Sequence, residues 1–114
     1  MIVEERIYRL KTGTLPSYLK LVEEQGIVIQ QRHLGHLIGY FHSEIGPLNQ
    51  IVHLWAYADH ADRDRRRDAL AADPAWQAFV PQIQALMDVM ENKILKPAAF
   101  SPIGGARPIS AAVR

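Results

Sequence analysis

Apolar and polar side chains mix along three short stretches of the chain, a pattern that predicts β-strands. Residues 2–10 combine Ile, Val, Tyr and Leu with charged residues, and residues 50–58 form the clearest strand of the sequence. Residues 34–45 are similar, and residues 46–49, with the sequence Gly-Pro-Leu-Asn, supply a turn before residue 50. Two strands joined by a short turn predict an antiparallel hairpin.

Helical spacing follows the first strand. Thr14 can cap the N-terminus of a helix, and Pro16 falls in its first turn, where a missing N–H costs little. Gly26 weakens the helix without ending it, so we expect the helix to reach about Gln31. The apolar residues that recur near the 3.6-residue period of an α-helix are Leu15, Tyr18, Leu19, Val22 and Ile29.

The second half of the chain predicts another helical region and a last strand. Residues 59–70 are charged and helical in composition, and Asp73 followed by Pro74 marks a new helix start with Asp73 as its N-cap. Pro81 is expected to kink or end that helix. Residues 89–95 fit a helix or a strand, and we assign a strand because a fourth strand completes the pattern.

The resulting order, β-α-β-β-α-β, predicts an α+β fold of the ferredoxin-like class, in which a four-stranded antiparallel sheet carries helices on one face. A chain of 114 residues is consistent with one such domain. We place the domain at residues 1–102. Residues 103–114 form a C-terminal tail with Pro and Gly, in which we expect no regular secondary structure.

The strand at residues 50–58 is apolar on both faces, which predicts a homodimer. One face carries Val52, Leu54, Ala56 and Ala58, and the other carries Ile51, His53, Trp55 and Tyr57. The helices can cover only one face of the sheet, and apolar patches of that size are rarely left bare on monomers. A second copy that stacks its own sheet is the economical cover, and two-fold symmetry is the commonest arrangement.

Composition narrows the partners and the compartment. Hydrophobic residues make up 48% and charged residues 22% of the chain, close to the average of globular domains. A net charge of +1 gives no field that points to nucleic acid or to an acidic membrane surface. The chain has no cysteine, no apolar run that could span a membrane and an acidic start unlike a signal peptide, so we predict a cytoplasmic protein.

Candidate site residues lie on the predicted strands. His53, Trp55 and Tyr57 share one face of their strand, and Arg6 and Tyr8 share a face of the first strand. A similar set on the second strand comprises His36, Tyr40 and His42. If these faces coincide, they form a pocket with an apolar body and polar tips, in which His53 is the candidate acid, base or ligand. The alternative is an aromatic layer of the dimer core whose polar tips bond internally.

The first strand carries more charge than a central strand normally does. Burial of charges such as Arg6 without partners is costly, so this strand either forms internal ion pairs or lines a polar cavity. Glu91 of the fourth strand could pair with Arg6 or Arg9. We favour ion pairing.

Other polar clusters carry weaker predictions. The five histidines do not have the spacing of a metal site, since His33 and His36 would lie on opposite faces of a strand. We predict no metal and no cofactor, and a haem held by one axial His stays an open alternative. The arginines between residues 62 and 68 alternate with acids at spacings that allow helical ion pairs, and Arg66 is the candidate for reaching a ligand.

Several segments resemble the NIPSNAP family. The most specific is residues 44–57, EIGPLNQIVHLWAY, which is similar to the hairpin of that family. The residues in their usual places there are Asn49, His53, Leu54, Trp55 and Tyr57. Weaker matches are residues 5–14, 32–35, 39–41, 61–67 and 73–76. Together the resemblance covers about residues 4–102.

This resemblance implies a dimeric α/β barrel. Relatives that share the fold include cofactor-independent quinol monooxygenases, haem-degrading monooxygenases and haem-binding chlorite dismutases, and none of these activities follows from the fold alone. We expect a homodimer that binds a small apolar or aromatic molecule in a cleft of each subunit. The alternatives are a cofactor-independent quinol or polyphenol monooxygenase with catalytic His53, and a purely structural dimer. The predicted ligand-binding residues are Arg6, Tyr8, Tyr40, Asn49, His53, Trp55, Tyr57, Arg66 and Trp76.

Overall fold

The computed structural model describes residues 1–110 and confirms the ferredoxin-like order of elements. The strands are Ile2–Leu10 (β1), His36–His42 (β2), Gln50–Tyr57 (β3) and Met87–Leu95 (β4). The helices are Leu15–Leu21 (α1), Ile27–His33 (α2), His60–Ala72 (α3) and Pro74–Gln84 (α4), and a π-helical segment, Val22–Gly26, joins α1 to α2. Residues 111–114, the end of the predicted tail, lie outside the described part of the chain.

The sheet is antiparallel throughout, and β1 is a central strand as predicted. The strand order is β2-β3-β1-β4. In the register of β1 with β3, Glu4 lies opposite Trp55 and Arg6 lies opposite His53. Directly opposed residues project from the same face of a sheet. The charged side chains of β1 therefore share a face with the aromatic side chains of β3.

Side-chain caps fix the starts of α3 and α4. The Asp59 carboxylate accepts a hydrogen bond from the Asp62 backbone N–H at 2.7 Å. The Asp73 carboxylate accepts one from the Ala75 backbone N–H at 2.8 Å. Each cap satisfies an N–H group that the start of a helix would otherwise leave unpaired, which explains why the two helices begin where they do.

Pro81 does not end α4, which was one of the two effects expected from the sequence, because the helix continues to Gln84. The proline is exposed, and hydrogen bonding resumes after it, with the Ala85 N–H donating to the Pro81 carbonyl at 3.3 Å. A single missing N–H on the outer side of a helix is tolerated here, since solvent can hydrate the carbonyl that loses its donor.

A bulge in β2 changes which of its side chains share a face. The register of β2 against β3 shifts in the middle of the strand. Tyr40 lies opposite His53 on the side of the helices, whereas His36 lies opposite Ala56 on the other side. The prediction that His36 shares a face with Tyr40 and His42 is wrong, because the extra residue of a bulge inverts the alternation.

The helices cover one face of the sheet, and the core lies between the two layers. Its buried residues are Ile2, Tyr8, Leu10, Tyr18, Val22, Ile29, Leu34, Ile51, Trp55, Tyr57, Leu70, Phe79 and Ile83. The opposite side, called the open face below, carries Val3, Glu5, Ile7, Phe41, Val52 and Leu54. The segment 96–103 turns back over one end of this face, where Phe100 and Ile103 line a groove together with Val3 and Leu54.

The segment after β4 has neither helix nor strand as far as residue 110, but backbone hydrogen bonds hold it in place. The Arg107 N–H donates to the Ala99 carbonyl at 2.8 Å, and the Ile109 N–H donates to the Phe100 carbonyl at 3.1 Å. The first part of the predicted tail is therefore bonded back onto the segment that covers the open face.

Candidate functional site

A cavity of about 180 Å³ lies between the sheet and the helices that cover it. Its apolar lining comes mostly from α4 and β4 and consists of Val22, Trp76, Phe79, Val80, Ile83, Met87 and Met90. Its polar lining comes mostly from β1, β2 and the first three helices and consists of Arg6, Tyr8, Tyr18, Gln30, Tyr40, Arg67 and Gln84. The lining thus combines aromatic and aliphatic side chains with hydrogen-bonding groups.

Three tyrosines form the centre of the polar lining. Arg6 Nε donates to the Tyr8 hydroxyl oxygen at 2.8 Å, and the hydroxyls of Tyr18 and Tyr40 share a hydrogen bond at 2.5 Å. Burial raises the pKa of both Tyr18 and Tyr40, so these phenols are neutral at physiological pH. The sequence indicated Tyr8 and Tyr40, and the structure brings Tyr18 to the same place from α1.

A buried carboxylate holds the arginine of the central strand. Glu4 is 0% exposed, and its Oε2 accepts hydrogen bonds from Arg6 Nη1 at 3.1 Å, Arg63 Nη2 at 2.8 Å and Asn92 Nδ2 at 2.8 Å. Burial alone would raise the pKa of Glu4, but the bonds from Arg63 and Asn92 outweigh it and lower the pKa to about 2.

Internal ion pairing on β1 therefore occurs, but not between the partners that the sequence suggested. Arg6 pairs with Glu4 of its own strand, and Lys93 lies 3.6 Å from Glu5 on the open face. Arg6 also lines the cavity, so the charged strand both forms internal ion pairs and lines a polar cavity. The register explains this, since Asn92 rather than Glu91 lies opposite Arg6.

Arg67 of α3 brings a second guanidinium to the cavity. Among residues 1–110 no carboxylate or hydrogen-bond acceptor pairs with it. Burial and the nearby positive charge of Arg6 lower the pKa of Arg67, and Glu4 offsets them only in part. The polar part of the cavity is thus positively charged, because Glu4 already shares its charge between Arg6 and Arg63.

His53 lies one layer behind the cavity. The residue is 0% exposed; its ring stacks on Tyr40 at 4.4 Å between centroids and meets the edge of Tyr8 at 5.0 Å. Its Nδ1 accepts a hydrogen bond from Trp55 Nε1 at 2.7 Å, so the proton of the neutral ring is on Nε2, an atom that lacks a partner within residues 1–110. Burial, followed by the charge of Arg6, lowers the pKa of His53 to about 3.

The other aromatic residues of the predicted set divide between the cavity and the core. Trp76 lines the cavity, with its ring 5.5 Å from that of Phe79. Trp55 is 0% exposed and serves as the donor to His53. Tyr57 is also buried, and burial raises its pKa. Trp55 and Tyr57 are therefore core residues that support the site from behind.

Asn49 has a structural position at the end of the β2–β3 turn. Its backbone has a φ of 62°, in the left-handed region that Asn tolerates better than most residues. Its carbonyl accepts a hydrogen bond from the Leu10 N–H at 2.8 Å, which ties the turn to the end of β1. Asn49 does not line the cavity.

Arg66 does not reach the cavity, and Arg67 takes the place that the sequence analysis assigned to Arg66. The Arg66 guanidinium bonds to the Asp62 carboxylate at 2.9 Å and to the His33 carbonyl at 3.2 Å on the exposed side of α3. The only fully buried residue of α3 is Leu70. Leu70 lies three residues after Arg67 and four after Arg66, so helical spacing alone allows either arginine to share its face. In the structure Arg67 reaches the cavity and Arg63 reaches Glu4.

Leu70 was a signal that narrowed the inward-facing candidates to Arg66 and Arg67 without separating them. The apolar spacing that predicted the first helix likewise included Tyr18 and Val22, both of which line the cavity. Gln30 gave no signal in the sequence, because a polar residue at the end of a helix is usually exposed.

Two negative findings concern other classes of site. Within residues 1–110, no three His, Cys, Asp or Glu side chains come together in a group that could hold a metal ion. In the same part of the chain, no helix has the length and the apolar character needed to cross a bilayer. His33 instead bonds to the Asp73 carboxylate at 2.8 Å, which links the end of α2 to the start of α4.

The sequence profile of the NIPSNAP family matches residues 3–102, which include every residue of the cavity and all of the helices and strands except Ile2. The chain belongs to the NIPSNAP family. The NipSnap homologue of Dictyostelium discoideum is 36% identical over 94 residues, which span 82% of this chain and 41% of that protein. The human NipSnap homologue 2 is 33% identical over 103 residues, or 90% of this chain and 35% of that protein. The chain therefore spans less than half the length of these two relatives.

Solved structures support the same assignment. A NIPSNAP family protein with unknown function from Agrobacterium tumefaciens superposes with a TM-score of 0.88 at 58% identity, covering 90% of this chain and 93% of that one. An antibiotic biosynthesis monooxygenase superposes with a TM-score of 0.62 at 19% identity, covering 86% and 99% of the two chains. The second similarity shows a shared fold and no more.

Proposed function

We propose that this NIPSNAP domain binds a small aromatic or apolar molecule in the cavity beneath its helices. The observation that carries the proposal is the composition of the lining, in which aromatic and aliphatic side chains face a few convergent polar groups. A cavity of about 150 Å³ is large enough for benzene. The volume of about 180 Å³ therefore suits one aromatic ring with a small substituent.

A homodimer is part of the proposal, and the open face supports it. Phe41 is 56% exposed there, and Val52 and Leu54 are only partly covered within one subunit. If two open faces met, each cavity would remain on the outer, helix-covered side of its own subunit. Each subunit would then bind its ligand alone. The location in the cytoplasm stays a prediction.

A cofactor-independent monooxygenase is the second candidate, favoured by the fold shared with the antibiotic biosynthesis monooxygenase. His53 is close to the cavity through its stacking on Tyr40. A histidine with a pKa of about 3 is nevertheless a weak base at neutral pH, and His53 contributes no atom to the lining. Binding without His53-dependent chemistry is therefore the function that the geometry supports best, and a purely structural dimer is the outcome if nothing binds.

The experiment is a titration of the full chain with phenol and, separately, with toluene, in which two-dimensional NMR spectra are recorded at each ligand concentration. We expect shift changes to cluster at residues around Trp76 and Phe79, which line the cavity. Val80→Phe fills the cavity and should abolish binding of both probes. Val28→Phe makes the same substitution at a position that is 48% exposed and outside the cavity, and it should leave binding unchanged.

Two results would count against the proposal. One is the absence of binding by either probe at millimolar concentration, which would favour the structural alternative. The other is binding that Val80→Phe leaves intact, which would place the ligand elsewhere. Oxygen uptake with a quinol series tests the second candidate, and uptake that His53→Ala leaves unchanged would remove His53 from any catalytic role.

A further inference from the structure

We propose that the ligand of this cavity is a compact aromatic acid whose carboxylate pairs with Arg67. This inference rests on the proposed function, namely that the cavity binds a small aromatic molecule, and adds the chemical class of the ligand and the residue that selects it. Three observations support it: an uncompensated charge, a surplus of hydrogen-bond donors and an apolar wall of one-ring size.

The uncompensated charge is that of Arg67. On the same helix, Arg63 pairs with Glu4 and Arg66 pairs with Asp62, whereas Arg67 has no such partner in the described part of the chain. Glu4 already pairs with Arg6 and Arg63, so it cannot neutralise a third guanidinium. A partly buried charge without a counterion is costly, and an anionic ligand would supply the counterion.

The tyrosine hydroxyls that line the same cavity as Arg67 offer a ligand hydrogen-bond donors. The Tyr8 oxygen accepts a hydrogen bond from Arg6, which leaves the Tyr8 O–H proton available to a ligand. In the pair of Tyr18 and Tyr40, one O–H proton is used between the two hydroxyls and the other is available. An ionised carboxylate accepts several hydrogen bonds and donates none, so it complements this set. An ammonium group would meet two guanidinium groups and be repelled.

The apolar wall fits a flat ring. Trp76 and Phe79 lie at 5.5 Å between ring centroids, and the thioethers of Met87 and Met90 lie on the side of β4. Aromatic and thioether groups make favourable contacts with an aromatic ring. Because this wall and the polar groups line the same cavity, a benzoate-sized acid finds apolar surface for its ring and hydrogen-bond donors for its carboxylate there.

The experiment compares benzoate with benzamide, its neutral isostere, by calorimetric titration of the full chain at pH 7. We expect the wild-type chain to bind benzoate at least about tenfold more tightly than benzamide, because a hydrogen bond to a charged group is worth more than a neutral one. Arg67→Met keeps a long apolar stem and removes the charge. It should weaken benzoate binding by roughly 10- to 100-fold and leave benzamide within about threefold of wild type.

Arg66→Met is the matched control, since it makes the same substitution one residue away on the exposed side of α3. It should change neither affinity. Arg67→Lys should recover part of the preference for benzoate, because the charge returns without the planar guanidinium.

Three outcomes would overturn the inference. Equal affinity of the wild-type chain for benzoate and benzamide would show that the cavity does not recognise the carboxylate, and the proposed function would remain intact. Equal loss of both ligands in Arg67→Met would assign Arg67 a structural role. Equal effects of Arg67→Met and Arg66→Met would show that the preference for benzoate comes from the overall positive charge of α3 and not from a contact with Arg67. If benzoate, benzamide, phenol and toluene all fail to bind, the proposed function fails as well.

Discussion

Glu4 is the residue on which the arrangement of the polar site depends. A carboxylate at 0% exposure is tolerated because two arginines and one amide donate to the same oxygen. The bond to Arg63 ties β1 to α3, and the bond to Asn92 ties it to β4. This network orients Arg6, whose Nε then donates to Tyr8 at the cavity. Glu4 is therefore a positioning residue for the cavity, although it does not line it.

The pH dependence of stability tests this role. The pKa of Glu4 falls from 4.5 to about 2 on folding, so its contribution to the free energy of unfolding is complete above about pH 4.5 and is lost as the pH falls toward 2. The contribution should be roughly 3 kcal/mol at neutral pH. We expect the difference in unfolding free energy between wild type and Glu4→Gln, measured by urea denaturation, to narrow steadily over that range.

Glu5→Gln is the control for this prediction. Glu5 follows Glu4 on the same strand but lies on the open face, with a 3.6 Å ion pair to an exposed lysine. Surface pairs of this kind contribute little, so Glu5→Gln should change the unfolding free energy by less than about 1 kcal/mol at any pH. A constant difference between wild type and Glu4→Gln from pH 6 to pH 2.5 would contradict the low pKa of Glu4.

For individual residues, the sequence could indicate which residue types form the site. It could not always indicate which of two neighbouring residues of the same type is the one that faces it. Arg6, Tyr8, Tyr40 and Trp76 belong to the predicted ligand-binding set, and all four line the cavity. Alternation along a strand and spacing along a helix are visible in a sequence, which is why these residues could be named. The choice between Arg66 and Arg67 depended on the rotation of α3, which packing around Leu70 decides. Such a rotation by one residue, about 100°, is not fixed when a helix has few apolar residues.

Among the secondary-structure elements, the irregular helix after β1 matters most for the cavity. The π-helical segment Val22–Gly26 widens one turn between α1 and α2. Such π-bulges within helices are frequent at functional sites. Val22 lines the cavity from this segment. Gly26 ends it, and a Cβ atom placed there would lie 2.5 Å from Cζ of Phe79, another lining residue. The segment thus lets α4 approach closely over the cavity.

Gly26→Ala should destabilise the domain, although alanine favours helices by about 1 kcal/mol over glycine. The added methyl would collide with the buried ring of Phe79, so the ring or α4 would have to shift. Overpacking of a core typically costs 1–3 kcal/mol, so we expect a net loss on the order of 1 kcal/mol in the free energy of unfolding. Urea denaturation measures it directly.

A double-mutant cycle identifies the cause of that loss. Phe79→Leu shortens the side chain that the methyl would meet, so Gly26→Ala should cost less in the Phe79→Leu background than in wild type. Gln25→Ala, at the exposed position before Gly26, should stay within about 0.5 kcal/mol of wild type. A stabilising Gly26→Ala would show that helix propensity, and not the contact with Phe79, dominates at this position.

The elements themselves were largely predictable, and the departures have local causes. The helix after the first strand and the β2–β3 hairpin occur where periodicity and turn residues place them, and β4 occurs where the fold pattern required a fourth strand. The π-helical segment, the bulge in β2 and the continuation of α4 past Pro81 were not predictable. Each depends on what packs against or hydrates the backbone at that point, which local propensity does not contain.

For the whole molecule, the main architectural question is what covers the open face of the sheet. The alternation along β3 indicated two apolar faces, and the structure shows that the helices cover the one with His53, Trp55 and Tyr57. The other face is covered at one end by segment 96–103 and is otherwise partly exposed. Exposed apolar surface of this kind supports the proposed homodimer, in which a second copy would cover it with its own open face.

Val52→Lys should separate the subunits of the proposed dimer. Val52 lies on the open face directly between Ile7 and Phe41, so a lysine there would place a charge in the middle of the contact between two sheets. Within one subunit the position is partly exposed, and a long lysine side chain can reach water once the partner has left. Light scattering after size exclusion should give twice the protomer mass of 12.9 kDa for wild type and the protomer mass for Val52→Lys. Val28→Lys, the same change at a position that is 48% exposed on α2, should remain dimeric. A wild-type chain that elutes at the protomer mass at all concentrations would contradict the dimer, and the open face would then need a different partner.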